Sequence, residues 1–125
     1  MILIDSYGWI EYLAGGKLAS KYGEYVEEAS EENTITPTVV VYEVYKKVRK
    51  EKGEEMALEI YGQLARTKIV QLSEELAISA AEMSLKLRLG MADSIIYATA
   101  RSEKARLITS DEHFKGLECV EFIEE

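Results

Sequence analysis

The chain opens on four apolar residues, Met1-Ile2-Leu3-Ile4, that stop abruptly at Asp5. An apolar run without polar alternation suits a strand covered on both faces, the usual state of a strand in a parallel sheet. A second run of the same build, Arg106-Leu107-Ile108-Thr109-Ser110-Asp111, lies near the other end and also reaches an acid. Between them the apolar period lengthens to three and four residues. Ser6 to Ala14 reads as a short helix stopped by Gly15-Gly16, and Lys17 to about Ser30 as a second, with Leu18, Tyr22, Tyr25, Val26 and Ala29 along one stripe. Asn33-Thr34-Ile35-Thr36-Pro37 is short and β-prone, and its proline can start a helix but not continue a central strand. Gly53 divides a helix over Thr38 to Lys52 from one over Glu54 to Arg66, and Thr67 to Leu72 follows as a strand. Ser73-Glu74-Glu75 is a capped, dipole-matched start for a helix reaching about Leu89; Met91 to Glu103 forms the last long helix and Val120 to Ile123 the last strand. Strands alternating with helices or helix pairs predict crossover connections and a mostly parallel sheet between two helical layers, an α/β three-layer fold.

Composition narrows the setting. At 125 residues the sequence predicts one domain over residues 1–125, with Pro37 the only proline and no repeat or Gly/Ser linker. The apolar start lacks a basic flank and is interrupted after four residues, so neither a signal peptide nor a membrane span is expected, and a soluble cytoplasmic protein follows. Cys119 is alone, which excludes an internal disulfide and a cysteine-based zinc site. His113 is the only histidine, so paired imidazole chemistry is not available. The net charge of −8 opposes a polyanionic partner, since nucleic-acid affinity rests on Lys and Arg neutralising phosphates. That objection weakens where acids are gathered to hold cations, because a bound metal inverts the local charge.

Several acids invite that reading. Asp5 falls at the carboxyl end of the first strand, the edge where open α/β sheets bind ligands; it is equally a good N-cap for the helix that follows. Asp111 repeats the arrangement after the second buried run, with Thr109 on the same side of its strand and able to orient the carboxylate. Ser6 offers a hydroxyl beside Asp5, or a cap. Glu43 lies beside the apolar stripe Val40, Val41, Val44 and Val48, and Lys46, Lys47 and Lys50 follow it on one side. These lysines are either a solvated Glu–Lys face or a phosphate track leading from a site carboxylate. Asp93 begins a helix that Ile95, Ile96, Ala98 and Ala100 make apolar nearly all round, so it either meets the helix dipole or is a partly buried acid in need of a partner. No Lys or Arg lies within a turn of it, and a metal is the more economical partner. Oxygen ligands from Asp5, Glu43, Asp93 and Asp111 suit a hard cation, Mg²⁺ or Mn²⁺. His113, beside Phe114, reads as part of a turn packing onto the core, and His113→Gln is expected to leave most activity.

The blocks Ile4-Asp5-Ser6-Tyr7-Gly8-Trp9, Val41-Tyr42-Glu43-Val44, Ala92-Asp93-Ser94-Ile95-Ile96-Tyr97-Ala98-Thr99-Ala100 and Leu107-Ile108-Thr109-Ser110-Asp111-Glu112-His113-Phe114 together resemble the PIN-domain ribonucleases, especially the small toxins of VapC type. The last two blocks are the specific ones. The resemblance implies a five-stranded PIN-like, Rossmann-like sheet in the order 3-2-1-4-5, an acidic metal site of Asp5, Glu43, Asp93 and Asp111 supported by Ser6 and Thr109, a homodimer and a small antitoxin partner. Glu112 departs from the basic or polar residue often found at its position. The expected activity is Mg²⁺- or Mn²⁺-dependent endoribonuclease cleavage of RNA, with Lys46, Lys47 and Lys50 contacting the substrate. Two alternatives stand beside it. One is a non-catalytic PIN-like module that binds a partner through Trp9, Ile10 and Leu13. The other is a phospho-aspartate phosphatase or receiver using Asp5; such phosphatases want a second Asp where Tyr7 stands, and the acid pair and lysine of a receiver are not seen.

Overall fold

The computed structural model describes residues 1–125. Five strands form one sheet in the order β3-β2-β1-β4-β5, every adjacent pair parallel. In chain order these are β1 (Ile2–Ile4), β2 (Thr34–Pro37), β3 (Lys68–Val70), β4 (Arg106–Thr109) and β5 (Val120–Phe122). The helices are α1 (Ser6–Ala14), α2 (Ala19–Val26), α3 (Thr38–Lys52), α4 (Glu54–Leu64), α5 (Glu74–Leu87) and α6 (Met91–Ser102). The predicted order and class are therefore those observed, and the sheet is parallel throughout. The second helix is shorter than its stripe suggests, because Gly16 and Lys17 precede a start at Ala19 and the chain turns after Val26.

Leu3, Ile4, Ile35, Leu107 and Ile108 are fully buried, as expected of short strands covered on both faces. Val40, Val44 and Val48 bury the inner stripe of α3, which packs on α1 and α4, while α5 packs on α6. Ser73 caps α5 by accepting the Leu76 N–H, and Pro37 ends β2 and leads directly into α3.

Two local features decide what happens at the carboxyl edge. In the order 3-2-1-4-5 the connections reverse direction between β1 and β4, which leaves a crevice outside the ends of those two central strands. Gly8 in α1 admits the ring of Tyr22 from α2, since a Cβ there would stand 2.5 Å from the ring. Tyr22 thereby reaches the end of β4, where its hydroxyl donates to Ser110 Oγ at 2.8 Å.

Candidate metal centre at the carboxyl edge of the sheet

The crevice receives four carboxylates from four different elements. Asp5 directly follows β1, Asp111 lies two residues past the end of β4, Asp93 is in the first turn of α6, and Glu43 is in the second turn of α3. Asp5 occupies the N-cap position of α1 yet makes no capping hydrogen bond. Its Oδ2 accepts instead from Thr109 Oγ1 at 2.7 Å, and the same Thr109 oxygen accepts the Asp111 N–H at 3.0 Å. One buried hydroxyl thus ties together the acids that end the two central strands. Ser6 turns away from a capping role and away from Asp5: its Oγ donates to Glu43 Oε1 at 2.6 Å.

The electrostatics are those of an uncompensated cluster. Asp5 is 5 % exposed. Burial pushes its carboxyl up to about 6, opposed by the Thr109 hydrogen bond and reinforced by the charges of Asp93 and Asp111. Asp93 is held above the usual carboxylate range by burial first and the Asp111 charge second, with His113 pulling it down and Glu43 pushing it up. None of the four acids has a Lys or Arg ion-pair partner. The basic group that does face them is His113, whose Nδ1 lies 3.2 Å from Asp111 Oδ1 and 3.5 Å from Asp93 Oδ2. Ligand atoms of Asp93, Asp111 and His113 all lie within 4.8 Å of one another, while Asp5 and Glu43 are held by Thr109 and Ser6 outside that trio. A set of mutually repelling carboxylate oxygens with one imidazole nitrogen, partly buried and lacking cationic side chains, fits a divalent cation.

Sequence reasoning assigned His113 to a packing turn, and half of that assignment holds. Phe114 is fully buried beneath the single 3-10 turn Glu112–Phe114, but the His113 ring is exposed and directed at the acids. The signal available was the spacing: a turn capped by Asp111 brings residue 113 back over its own cap, and Asp111 Oδ1 does accept the His113 N–H at 2.9 Å. The Tyr22–Ser110 contact carried no sequence signal. The lysines divide between two surfaces. Lys46 and Lys50 border one concave surface with Tyr42, Tyr45 and Arg49, whereas Lys47 pairs with Glu51 at 2.6 Å and borders a groove with Ile10, Leu13 and Val48. Lys47, 100° round the helix from Lys46, thus borders a different concavity from Lys46 and Lys50.

A wholly parallel α/β/α sheet with carboxylates converging at its switch point defines the class. Residues 2–118 match the PIN domain family, and the chain belongs to it. Similar folds are found in a toxin–antitoxin complex from Klebsiella pneumoniae (TM-score 0.81, 22 % identity, 97 % of this chain and 96 % of that one). They are found also in VapBC2 from Rickettsia felis, bound to a fragment of its promoter DNA (TM-score 0.73, 19 % identity, 99 % and 100 %). VapC20 from Mycobacterium tuberculosis, described as a toxin cleaving the sarcin–ricin loop, is similar at TM-score 0.71 and 13 % identity over 85 % of each chain. No curated protein matches the sequence. No helix is long and apolar enough to cross a membrane.

Proposed function

We propose that this single PIN domain is a Mg²⁺- or Mn²⁺-dependent endoribonuclease, the cytoplasmic toxin of a toxin–antitoxin pair, with Asp5, Glu43, Asp93 and Asp111 as its metal-binding and catalytic acids. The observation that carries the reading is the partly buried carboxylate set without Lys or Arg, whose burial and mutual repulsion hold Asp5 and Asp93 above their ordinary range. A structural acid cluster would be expected to carry a cationic side chain; a site built for a divalent ion has no need of one. When bound, such an ion lowers the pKa of a water and neutralises charge developing on a phosphodiester. The chain's own residues do the rest. Thr109 fixes Asp5 and the start of the Asp111 turn through one hydroxyl, and Ser6 orients Glu43. Both supporting hydroxyls hold carboxylate oxygens in place before substrate arrives, which is where preorganisation lowers a barrier.

Substrate approach follows from the charge around the crevice. A cavity of about 610 Å³ on one side is bordered by Asp111, Glu112, Glu124 and Glu125, which repel a polyanion. On the other side α3 continues past Glu43 with Lys46, Arg49 and Lys50, and Lys46 lies over the ring of Tyr42, which is 61 % exposed. Cations interleaved with an exposed aromatic ring suit single-stranded RNA, whose bases stack while its phosphates are neutralised. RNA therefore enters over α3. Lys47, paired with Glu51, contributes least.

The partner assignments rest on apolar surface. Ile10, Leu13, Ala14, Val48 and Met56 form a groove between α1, α3 and α4, edged by Lys47 and Lys52, that suits an amphipathic antitoxin segment. Ile78 and Leu85 on α5, with Met91 at the start of α6, are exposed on surface that suits a second copy of the chain.

The test is the chemistry of the cut. Metal-assisted attack by water needs no 2′-hydroxyl, so products should carry 5′-phosphate and 3′-hydroxyl ends, EDTA should abolish cleavage, and Mg²⁺ or Mn²⁺ should restore it. Cyclic 2′,3′-phosphate ends, or full activity in EDTA, would overturn both the mechanism and the four acid roles.

A further inference from the structure

We infer that His113 is a direct ligand of the cation held by Asp93 and Asp111, and that its nitrogen tilts this site toward Mn²⁺ and later transition ions over Mg²⁺. The inference rests on the metal-site reading above and adds to it a fifth residue and a metal preference. Three observations carry it. Ligand atoms of Asp93, Asp111 and His113 already lie within 4.8 Å of one another. Atoms bound to one ion at about 2.1 Å stand roughly 3 to 4.2 Å apart, so small side-chain rotations close the set. The turn that carries the imidazole is also fixed before any ion arrives. Phe114, buried next to it against Tyr97 at a ring separation of 6.2 Å, anchors the turn, and Asp111 accepts the His113 N–H at 2.9 Å. Finally, Nδ1 faces both carboxylates, at 3.2 and 3.5 Å.

The consequence for metal choice is chemical. Mg²⁺ is a hard ion that prefers oxygen and sheds water reluctantly, whereas imidazole nitrogen favours ions further along the first transition row. Asp5 and Glu43, each hydrogen-bonded to a hydroxyl and outside the trio, offer only carboxylate oxygens, which serve Mg²⁺ equally well. The nitrogen is what separates the ions.

Pulsed EPR of Mn²⁺ bound to the full, untagged chain tests this directly, because His113 is the only histidine and any imidazole ¹⁴N coupling belongs to it. The expected result is ¹⁴N modulation in the parent protein and its loss in His113→Gln, which should fold normally because the side chain is exposed. Calorimetric titration should show Mn²⁺ affinity falling about tenfold in that variant, the scale on which groups around a metal act, while Mg²⁺ affinity changes much less. Mn²⁺ bound without ¹⁴N coupling, coupling that persists in His113→Gln, or an equal loss for both ions would overturn the inference and leave the four-acid reading intact. If instead Mn²⁺ fails to bind, or binds as well to Asp5→Asn and Asp93→Asn, the site reading itself is wrong and this inference falls with it.

Discussion

The two central strands both run from a buried apolar pair into an acid, yet the two ends are built differently. After β4, Asp111 belongs to its own turn: its Oδ1 caps the 3-10 turn by accepting the His113 N–H. After β1, Asp5 sits where a cap would sit and caps nothing; its carboxylate is turned across the sheet to Thr109 and buried among other acids. A locally satisfied acid stabilises its turn whatever else is present. An acid buried beside like charges, at a raised pKa despite the hydrogen bonds from Thr109 and the Ser6 N–H, costs stability until something positive reaches it. The comparison separates the residue that shapes the edge from the residue that waits for a ligand.

The largest effect expected from breaking this comparison is on activity. Asp5→Asn and Asp111→Asn should each lower RNA cleavage by about 100-fold or more, the scale for losing one preorganised electrostatic group. A single-turnover assay at saturating Mn²⁺ checks it, and near-parental cleavage by either variant would remove that acid from the site. Next comes metal binding itself: an ion that binds only the native state stabilises by about 2.7 kcal/mol at a hundredfold excess over its Kd. Thermal melts with and without Mn²⁺ should show a clear rise for the parent and a blunted one for Asp5→Asn.

The two ends should diverge in metal-free stability. Asp5 ionises near 6 in the folded chain against 3.8 for an ordinary Asp, so between those values the native state holds the proton that the unfolded chain has lost. Stability contributed through this group is therefore lost as pH rises from about 4 to about 6, and the deficit persists at pH 7. Two pKa units correspond to about 3 kcal/mol, so Asp5→Asn should stabilise the EDTA-treated protein at pH 7 by about 1 to 3 kcal/mol and flatten the decline. Asp111→Asn, which retains a capable cap and relieves only its share of the repulsion on Asp5 and Asp93, should stabilise less than Asp5→Asn does. Urea unfolding between pH 4 and 7 distinguishes them; equal shifts would show that the two acids play the same part in the fold. The smallest effect lies on α3. Replacing Lys46, Arg49 and Lys50 by Gln should reduce the log–log salt slope of RNA binding by about 0.7 per lost contact, and Lys47→Gln should leave it unchanged. A fall with Lys47→Gln alone would place the track on the other side of the helix.

How far each of these features could be read in advance depends on the range of the interaction behind it. Apolar runs and three-to-four-residue stripes report which faces are buried, and burial of short strands between helices follows from connection lengths. That is why the existence and order of the strands, the α3 stripe and the stop at Gly53 were legible, while the strand bounds were not: the predicted Thr67 to Leu72 is a strand only over Lys68–Val70. The acids were legible as types at chain positions, since the carboxyl end of a buried strand is a place rather than a contact. What the sequence could not carry was direction. Ser6 and Asp5 are adjacent, yet one turns to Glu43 on α3 and the other to Thr109 on β4, because sheet register and helix docking, not neighbours in sequence, choose the partner. The same holds for Lys46 and Lys47, one residue apart and on two surfaces. It holds for Tyr22, which meets Ser110 across 88 positions of chain through space opened by Gly8, and for His113, whose exposed ring reaches Asp93 from another helix. Local periodicity determined which groups this protein has at the edge of its sheet; only packing decided which of them face one another, because hydrogen bonds and Coulomb forces act over a few ångströms of space regardless of the chain between them.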